Sequence, residues 1–422
     1  MVPGRRMSLR DANWLQIDHL RVIGPLAGVT TTTVRDALAT LHAMDPGDPA
    51  VCRVGRRRWV PVGPQRYREV LASDVSELDG AEPGVEPAVA LRGALVAEPL
   101  GDRPLRVLLY RGFAGIRVTH AIGDGRVFSA LVPRLFGGPV APSPRPVRLP
   151  LPRATVDYFG RDPRRVGALL RVPRPRPPEP GPHEPRRPWW PDPWSHYARS
   201  AEDLLPRLRE WRAARLPGVS TAAVLFAAAR AAFEECGLVP NDAGLMVLVD
   251  ARRYLSGRVV GGNFSTGQYV KPSDPRDPRA IQEAIAATVA AGLPLANLAL
   301  RDLYALGLRW HVPSEPERVR VHPAPRLTLT HVGRLDGFAG LPWACPPEGR
   351  VLMSAPTTAG TEGVTVSFAE LDGAIHVNVT YHRSTFEETA VRRAAELICA
   401  DPVGLLTRGG YSPKWGSSAS AR

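Results

Sequence analysis

The chain has 422 residues, 44% of them hydrophobic, which exceeds the usual size of a single core and supplies apolar material for two. Its net charge of +13 is almost all arginine, since Lys271 and Lys414 are its only lysines; the arginines are dispersed, and without a zinc finger, an RNA-binding aromatic motif or a basic helix they argue against a nucleic-acid partner. No run of eighteen apolar residues and no apolar N-terminal signal core occurs, and Cys52, Cys236, Cys345 and Cys399 form no CxxC pair or Cys/His cluster, so the expectation is a cytoplasmic protein without a transmembrane segment or a metal.

Residues 33–44, with Val34, Leu38 and Leu41 at helical spacing, predict an amphipathic helix, and 59–62 an early strand. Two short strands rich in β-branched and apolar residues follow, 105–110 and 113–119, joined around Arg111-Gly112. His120 stands at the exit of the second. It shares the parity of Ile116 and Val118, which predicts that its imidazole leaves from the inward face. Asp124 comes four residues later, Gly125 is expected to permit the tight exit, and Val127, Phe128, Leu131 and Leu135 continue as a helix despite Pro133.

Residues 133–193 are the densest basic, proline-rich stretch, and such a sequence cannot hold a long helix or a central strand. It reads as an extended crossover, with Trp189, Trp190 and Trp194 packing it onto the body. The predicted organisation is therefore an N-terminal subdomain 1–155, a linker 156–198 and a C-terminal subdomain 199–422. In the latter, 199–213 carries Leu204, Leu205, Leu208 and Trp211 on a helical face. Ser220 caps an alanine-rich helix that stops at Gly237. Strands are expected at 244–250 and 327–330, and a hairpin at 364–381 turns at Asp372-Gly373. Ser384 to Glu387 then reads as a capping box opening a last helix.

The chemistry lies in Thr119-His120-Ala121-Ile122-Gly123-Asp124-Gly125. A neutral imidazole accepts a proton from a hydroxyl or an amine near physiological pH, and an aspartate four residues on orients the ring or anchors its loop. Spacing alone does not separate this reading from a structural histidine, because a chain with ten histidines contains HxxxD by chance.

In context the segment resembles the HHxxxDG signature of the chloramphenicol acetyltransferase-like superfamily, which includes condensation domains, wax ester synthases and polyketide-associated acyltransferases. Thr119 stands where the first family histidine would be, and His120 matches the second, the catalytic one in relatives that use HxxxD. Downstream, Val249-Asp250-Ala251-Arg252-Arg253 followed by Gly261-Gly262-Asn263 resembles the family's VDxR and GN segments, and Leu327-Thr328-Leu329-Thr330-His331-Val332-Gly333 resembles its SNxG strand, with Thr330 at the hydroxyl position. The plant subgroup's DFGWG motif is absent, which excludes that subgroup.

The resemblance implies an α/β (α+β) protein of two subdomains with mixed sheets and an active-site tunnel between them. It implies an acyltransferase that moves an acyl group from a coenzyme A or carrier-protein thioester to an alcohol or amine, in natural-product biosynthesis, with no tightly bound cofactor. His120 would be the base and Asp124 an organiser braced by Arg252 first or Arg253 second, with Gly125 completing the motif. Thr119, Gly123, Thr330 and Asn263 are candidates for substrate or oxyanion contact; Asn263 either lines the tunnel or makes a turn. The arginine excess is a solvated surface or attracts an acidic carrier or coenzyme A phosphates. Condensation-like and wax ester synthase-like enzymes remain open as alternatives, as does a non-catalytic scaffold that binds a carrier protein.

Overall fold

The computed structural model describes residues 4–80, 82, 84–141, 147–176, 184–240, 244–255, 257–307, 318–356, 358 and 360–408, with backbone alone at 304–307. Parts of the predicted crossover, 142–146 and 177–183, and Lys414 lie outside the described residues. In chain order the strands of the two main sheets are β1 (Asp18–Gly24), β2 (Val75–Glu77), β3 (Leu105–Tyr110), β4 (Phe113–Thr119), β5 (Pro193–Arg199) and β6 (Leu245–Asp250). They continue with β7 (Ser265–Val270), β8 (Arg326–Arg334), β9 (Val351–Ala355), β10 (Gly363–Leu371) and β11 (Ala374–His382).

A five-stranded sheet has the order β9-β1-β4-β3-β2 and a six-stranded sheet the order β7-β6-β8-β10-β11-β5. Both are mixed: β2 runs parallel to β3, and β8 runs parallel to β6 and β10, while the other neighbours are antiparallel. The expected α/β class with mixed sheets is thus the observed one. Two hairpins carry local turn signals, with φ 48° at Arg111 and 79° at Gly112, and φ 50° at Asp372 and 79° at Gly373. Paired positive φ values twist a two-residue turn in the sense the flanking strands need.

Helices cover both faces of the first sheet, where Leu91 and Leu95 of the helix Pro87–Ala97 meet Leu20, Val22 and Leu108 on the other side, and one face of the second. Ile23, Ile116 and Val118 meet Val34 and Leu38 of the helix Thr31–Met44 and Phe128 and Leu131 of the helix Gly125–Leu135. In the second sheet Val247, Leu329, Val366, Phe368 and Val377 pack on the alanine-rich helix Thr221–Glu235, whose small side chains let its backbone approach the strands. Alternation along the strands gives the second sheet an opposite face of Thr328, Thr330, Thr365, Ser367, His376, Asn378 and Thr380. Strand β9 crosses this polar face, where the Ser354 N–H donates to Asn378 Oδ1 at 2.7 Å. It then pairs with β1, so the second half of the chain completes the first sheet.

Several sequence expectations change. The segment 156–198 is not wholly extended: it holds the helix Arg164–Arg171 and most of β5, which takes an edge position compatible with its leading proline. Residue 199 ends that strand, and the predicted helix begins at Leu204. Trp189 is buried and donates to Thr385 Oγ1, and Trp194 lies between the Arg92 and Arg383 guanidinium groups, each 4.2 Å away, but Trp190 is 59% exposed. Ser384 donates to the Trp190 carbonyl rather than capping the helix Glu388–Ala400, and one more helix, Pro402–Arg408, follows. All four cysteines are free, with Cys52 and Cys399 buried. Among the described residues no single helix is long and apolar enough to cross a membrane.

Candidate active site

Strand β4 delivers Thr119 and His120 to a one-turn helix, His120–Ile122, which Thr119 caps by accepting the Ala121 N–H at 3.4 Å. Thr119 is buried, and its hydroxyl serves that turn. The close approach falls at Gly123, where a Cβ would lie 2.6 Å from Val127 Cβ. Gly125 instead opens the helix Gly125–Leu135, and a Cβ there would meet nothing within 4 Å. The tight exit expected at Gly125 is thus made two residues earlier.

The His120 ring lies between Trp14, stacked at 4.2 Å, and His19, at 4.0 Å. Because His19 pairs with Val118 across β1 and β4, the contact follows from the inward parity of His120. Burial holds the His120 pKa below the usual histidine value, with Asp124 and Asn263 partly opposing the shift. His19 is held well below by burial and then by its neighbour His120. Both rings are therefore neutral near pH 7. His120 Nδ1 is sealed from solvent without a hydrogen-bond partner.

Asn263 positions the His120 backbone: its Nδ2 donates to the His120 carbonyl at 2.9 Å and to Asp11 Oδ1 at 3.0 Å, and its own N–H donates to the same Asp11 oxygen at 2.8 Å. Ser8 Oγ donates to the other Asp11 oxygen at 2.6 Å. Gly262 is needed for this approach, since it has φ +68° and a Cβ would fall 2.6 Å from Asp11 Oδ1. Asn263 therefore ties the turn carrying His120 to the N-terminal segment.

Among the described residues, Asp124 makes no hydrogen bond to the His120 ring. Its Oδ2 accepts from Arg252 Nη1 at 2.7 Å, the Phe264 N–H at 3.0 Å and Ser265 Oγ at 2.9 Å. Arg252 also donates to the Val260 and Gly262 carbonyls and to Asp250 Oδ1. The brace is Arg252 alone; Arg253, the second candidate, is exposed. With its carboxylate committed to Arg252, Asp124 does not cap the helix that follows, and the first-turn N–H groups of that helix have no side-chain partner from it.

Thr330 is half-buried on β8 opposite Ser367, on the polar face of the second sheet. Among the described residues no hydrogen bond joins it to His120 or Asp124. The structure thus brings together His120, Asp124, Gly123, Gly125, Arg252 and Asn263, and leaves Thr330 and Arg253 outside that cluster. Sequence reasoning did not single out Ser265, His19, Asp11 or Trp14 as site residues. Two clefts, of about 380 Å³ beside Tyr197 and Cys399 and about 190 Å³ beside Gly112 and Phe113, are lined by other residues than His120.

Compared as a sequence, the chain matches no family model and no curated protein. Compared as a structure, it is similar over 95% of its length to the trichothecene 15-O-acetyltransferase of Fusarium sporotrichioides, with 94% of that chain covered, 13% identity and a TM-score of 0.60. It is likewise similar over 95% of its length to the first condensation domain of the CDA synthetase, with 97% of that chain covered, 16% identity and a TM-score of 0.57. Polyketide synthase associated protein 5 from Mycobacterium tuberculosis matches over its whole length and 95% of this chain, with 16% identity and a TM-score of 0.54. In fold, this chain is similar to these acetyltransferase and condensation-domain structures along nearly its whole length.

Proposed function

We propose that the protein is an acyltransferase in which His120 is the general base. The observation that carries this reading is a buried, neutral imidazole at a strand exit whose neighbouring carboxylate, Asp124, is held in an ion pair with Arg252. A base needs its proton-free form at working pH, and an aspartate held elsewhere keeps the turn in place without competing for the proton.

In the reaction, the acceptor oxygen or nitrogen attacks the thioester carbonyl while its proton passes to His120 Nε2, the ring nitrogen that is not sealed in the interior. The new C–O or C–N bond forms, the tetrahedral oxyanion collapses, and the C–S bond breaks. The proton on His120 then passes to the leaving thiolate. The uncapped N–H groups at Gly125 and the residue after it are the favoured oxyanion donors, because such donors are fixed before charge develops. Thr330 is the second candidate. The donor is a coenzyme A or carrier-protein thioester that acts as co-substrate, the acceptor is a small alcohol or amine, and the setting is natural-product biosynthesis. The arginine-rich surface suits an acidic carrier or coenzyme A phosphates.

The test is an intact-mass screen of acyl-coenzyme A and acyl-carrier donors against pooled alcohols and amines. Acylated product with the wild type and none with a folded His120→Ala variant is expected. Equal turnover by that variant removes His120 from the mechanism, and a carrier bound without any turnover favours a scaffold.

A further inference from the structure

Among the described residues, Arg21 is a buried cation with no carboxylate partner. It lies on β1 between His19 and Ile23, on the face covered by the helix Gly125–Leu135, and is 5% exposed. Its Nε donates to Ser354 Oγ and its Nη1 to Ser129 Oγ, both at 3.2 Å. The guanidinium carbon lies 4.7 Å from the Phe128 ring centre and 5.3 Å from that of Phe338. Among the described residues, two neutral hydroxyls and two ring faces are the contacts of its guanidinium.

Other buried arginines are treated differently. Arg230 meets Glu234, Arg252 meets Asp124 and Arg320 meets Glu362. Arg92 has the more distant charge of Asp192. For Arg21 no carboxylate offsets its burial, which pushes the guanidinium down to about 10 and still leaves it charged at neutral pH. An unpaired buried charge costs several kcal/mol, far more than hydroxyl contacts return. An anion brought by a ligand would offset that cost.

The remaining nitrogen shows where that partner would enter. Nη2 makes no hydrogen bond, yet it is not one of the unpartnered atoms sealed from solvent, so it keeps contact with water. Residues two apart on one strand face are separated by roughly 7 Å, which puts Arg21 next along β1 from His19, the ring that stacks on His120. Arg21 is also close enough to help keep His19 unprotonated.

We propose that Arg21, with Ser129 and Ser354, binds the carboxylate or phosphate group of a ligand whose other end reaches His120. The guanidinium fork presents parallel N–H groups to either anion, and a desolvated setting strengthens the contact. The proposal rests on the acyl-transfer reading only in treating that ligand as a substrate.

Calorimetric titration with hexanoate, hexyl phosphate and hexanol, on the wild type, Arg21→Met and Arg21→Lys, tests it without any turnover, so its failure is distinct from that of the His120 mechanism. At least one of the two anions is expected to bind the wild type tenfold more tightly than hexanol and to lose at least tenfold in Arg21→Met. The stronger anion identifies the group as carboxylate or phosphate. Should Arg21→Met fail to fold, Arg21→Lys carries the comparison, with at least a threefold loss expected. Anion binding no tighter than that of hexanol, or unchanged in the folded variants, overturns the proposal.

Discussion

Arg252 and Asp124 meet at 2.7 Å, both side chains 8% exposed, and they come from opposite halves of the chain. Removing one partner of a buried pair leaves the other uncompensated, at a cost of about 3–5 kcal/mol. Asp124→Ala is therefore expected to lower unfolding free energy by that amount in chemical denaturation. An unchanged midpoint would mean that the pair does not join the halves.

Trp14 covers one face of the His120 ring. Trp14→Ala should let water reach the imidazole and move its pKa upward, toward the solvated value of about 6.5. A histidine titration by NMR, assigned with His120→Gln, reads the shift directly; a fixed or falling value would show that Trp14 does not contribute to the burial.

Gly262 and Gly257 both have positive φ, +68° and +71°, but a Cβ would strike Asp11 only at Gly262. Alanine at either position costs roughly 1–2 kcal/mol of left-handed backbone strain. Gly262→Ala is expected to lower Tm clearly more than Gly257→Ala, and equal shifts would deny that the Asp11–Asn263 contact needs a bare backbone.

Burial lowers the pKa of His19, His120, His196, His376 and His382. Between these lowered folded values and about 6.5, the unfolded chain binds more protons than the folded one, so stability falls as pH falls through that window. For His376, whose pKa drops to about 3, the loss at pH 5 is about 2 kcal/mol. The raised carboxyl groups of Asp11, Asp18, Asp74 and Asp302 act in the opposite sense. His376→Gln should accordingly flatten the slope of Tm against pH between 5 and 7, and an unaltered slope would remove His376 from the balance.

Local patterns exposed much of this in the sequence. The hairpins at Arg111-Gly112 and Asp372-Gly373, the Ser220 cap and the inward parity of His120 depend on neighbours a few residues away. Asp124 and Arg252 could be paired in advance because the motifs around both resemble one family. What stayed hidden depends on contacts between distant segments. Nothing near His19 announces that strand pairing with Val118 will lay its ring on His120, and Asp11 gains its role only when Gly262 and Asn263 fold against it. Arg253 and Arg252 are adjacent, and only the turn after β6 decides which of them points inward. The edge strand β5 was obscured by prolines that an outer strand tolerates.

Strand β9 also bears on how the chain reaches this structure. The outer edge of β1 is paired by residues 351–355, far along the chain from residues 18–24. On the ribosome, β1, β3 and β4 can associate early, but their sheet keeps an open edge until most of the chain has emerged. An unpaired edge is a template for the wrong partner. A nascent chain that stops before Val351 therefore leaves this edge open to a wrong partner, and the same late-arriving strand that closes the edge also places Ser354 beside Arg21.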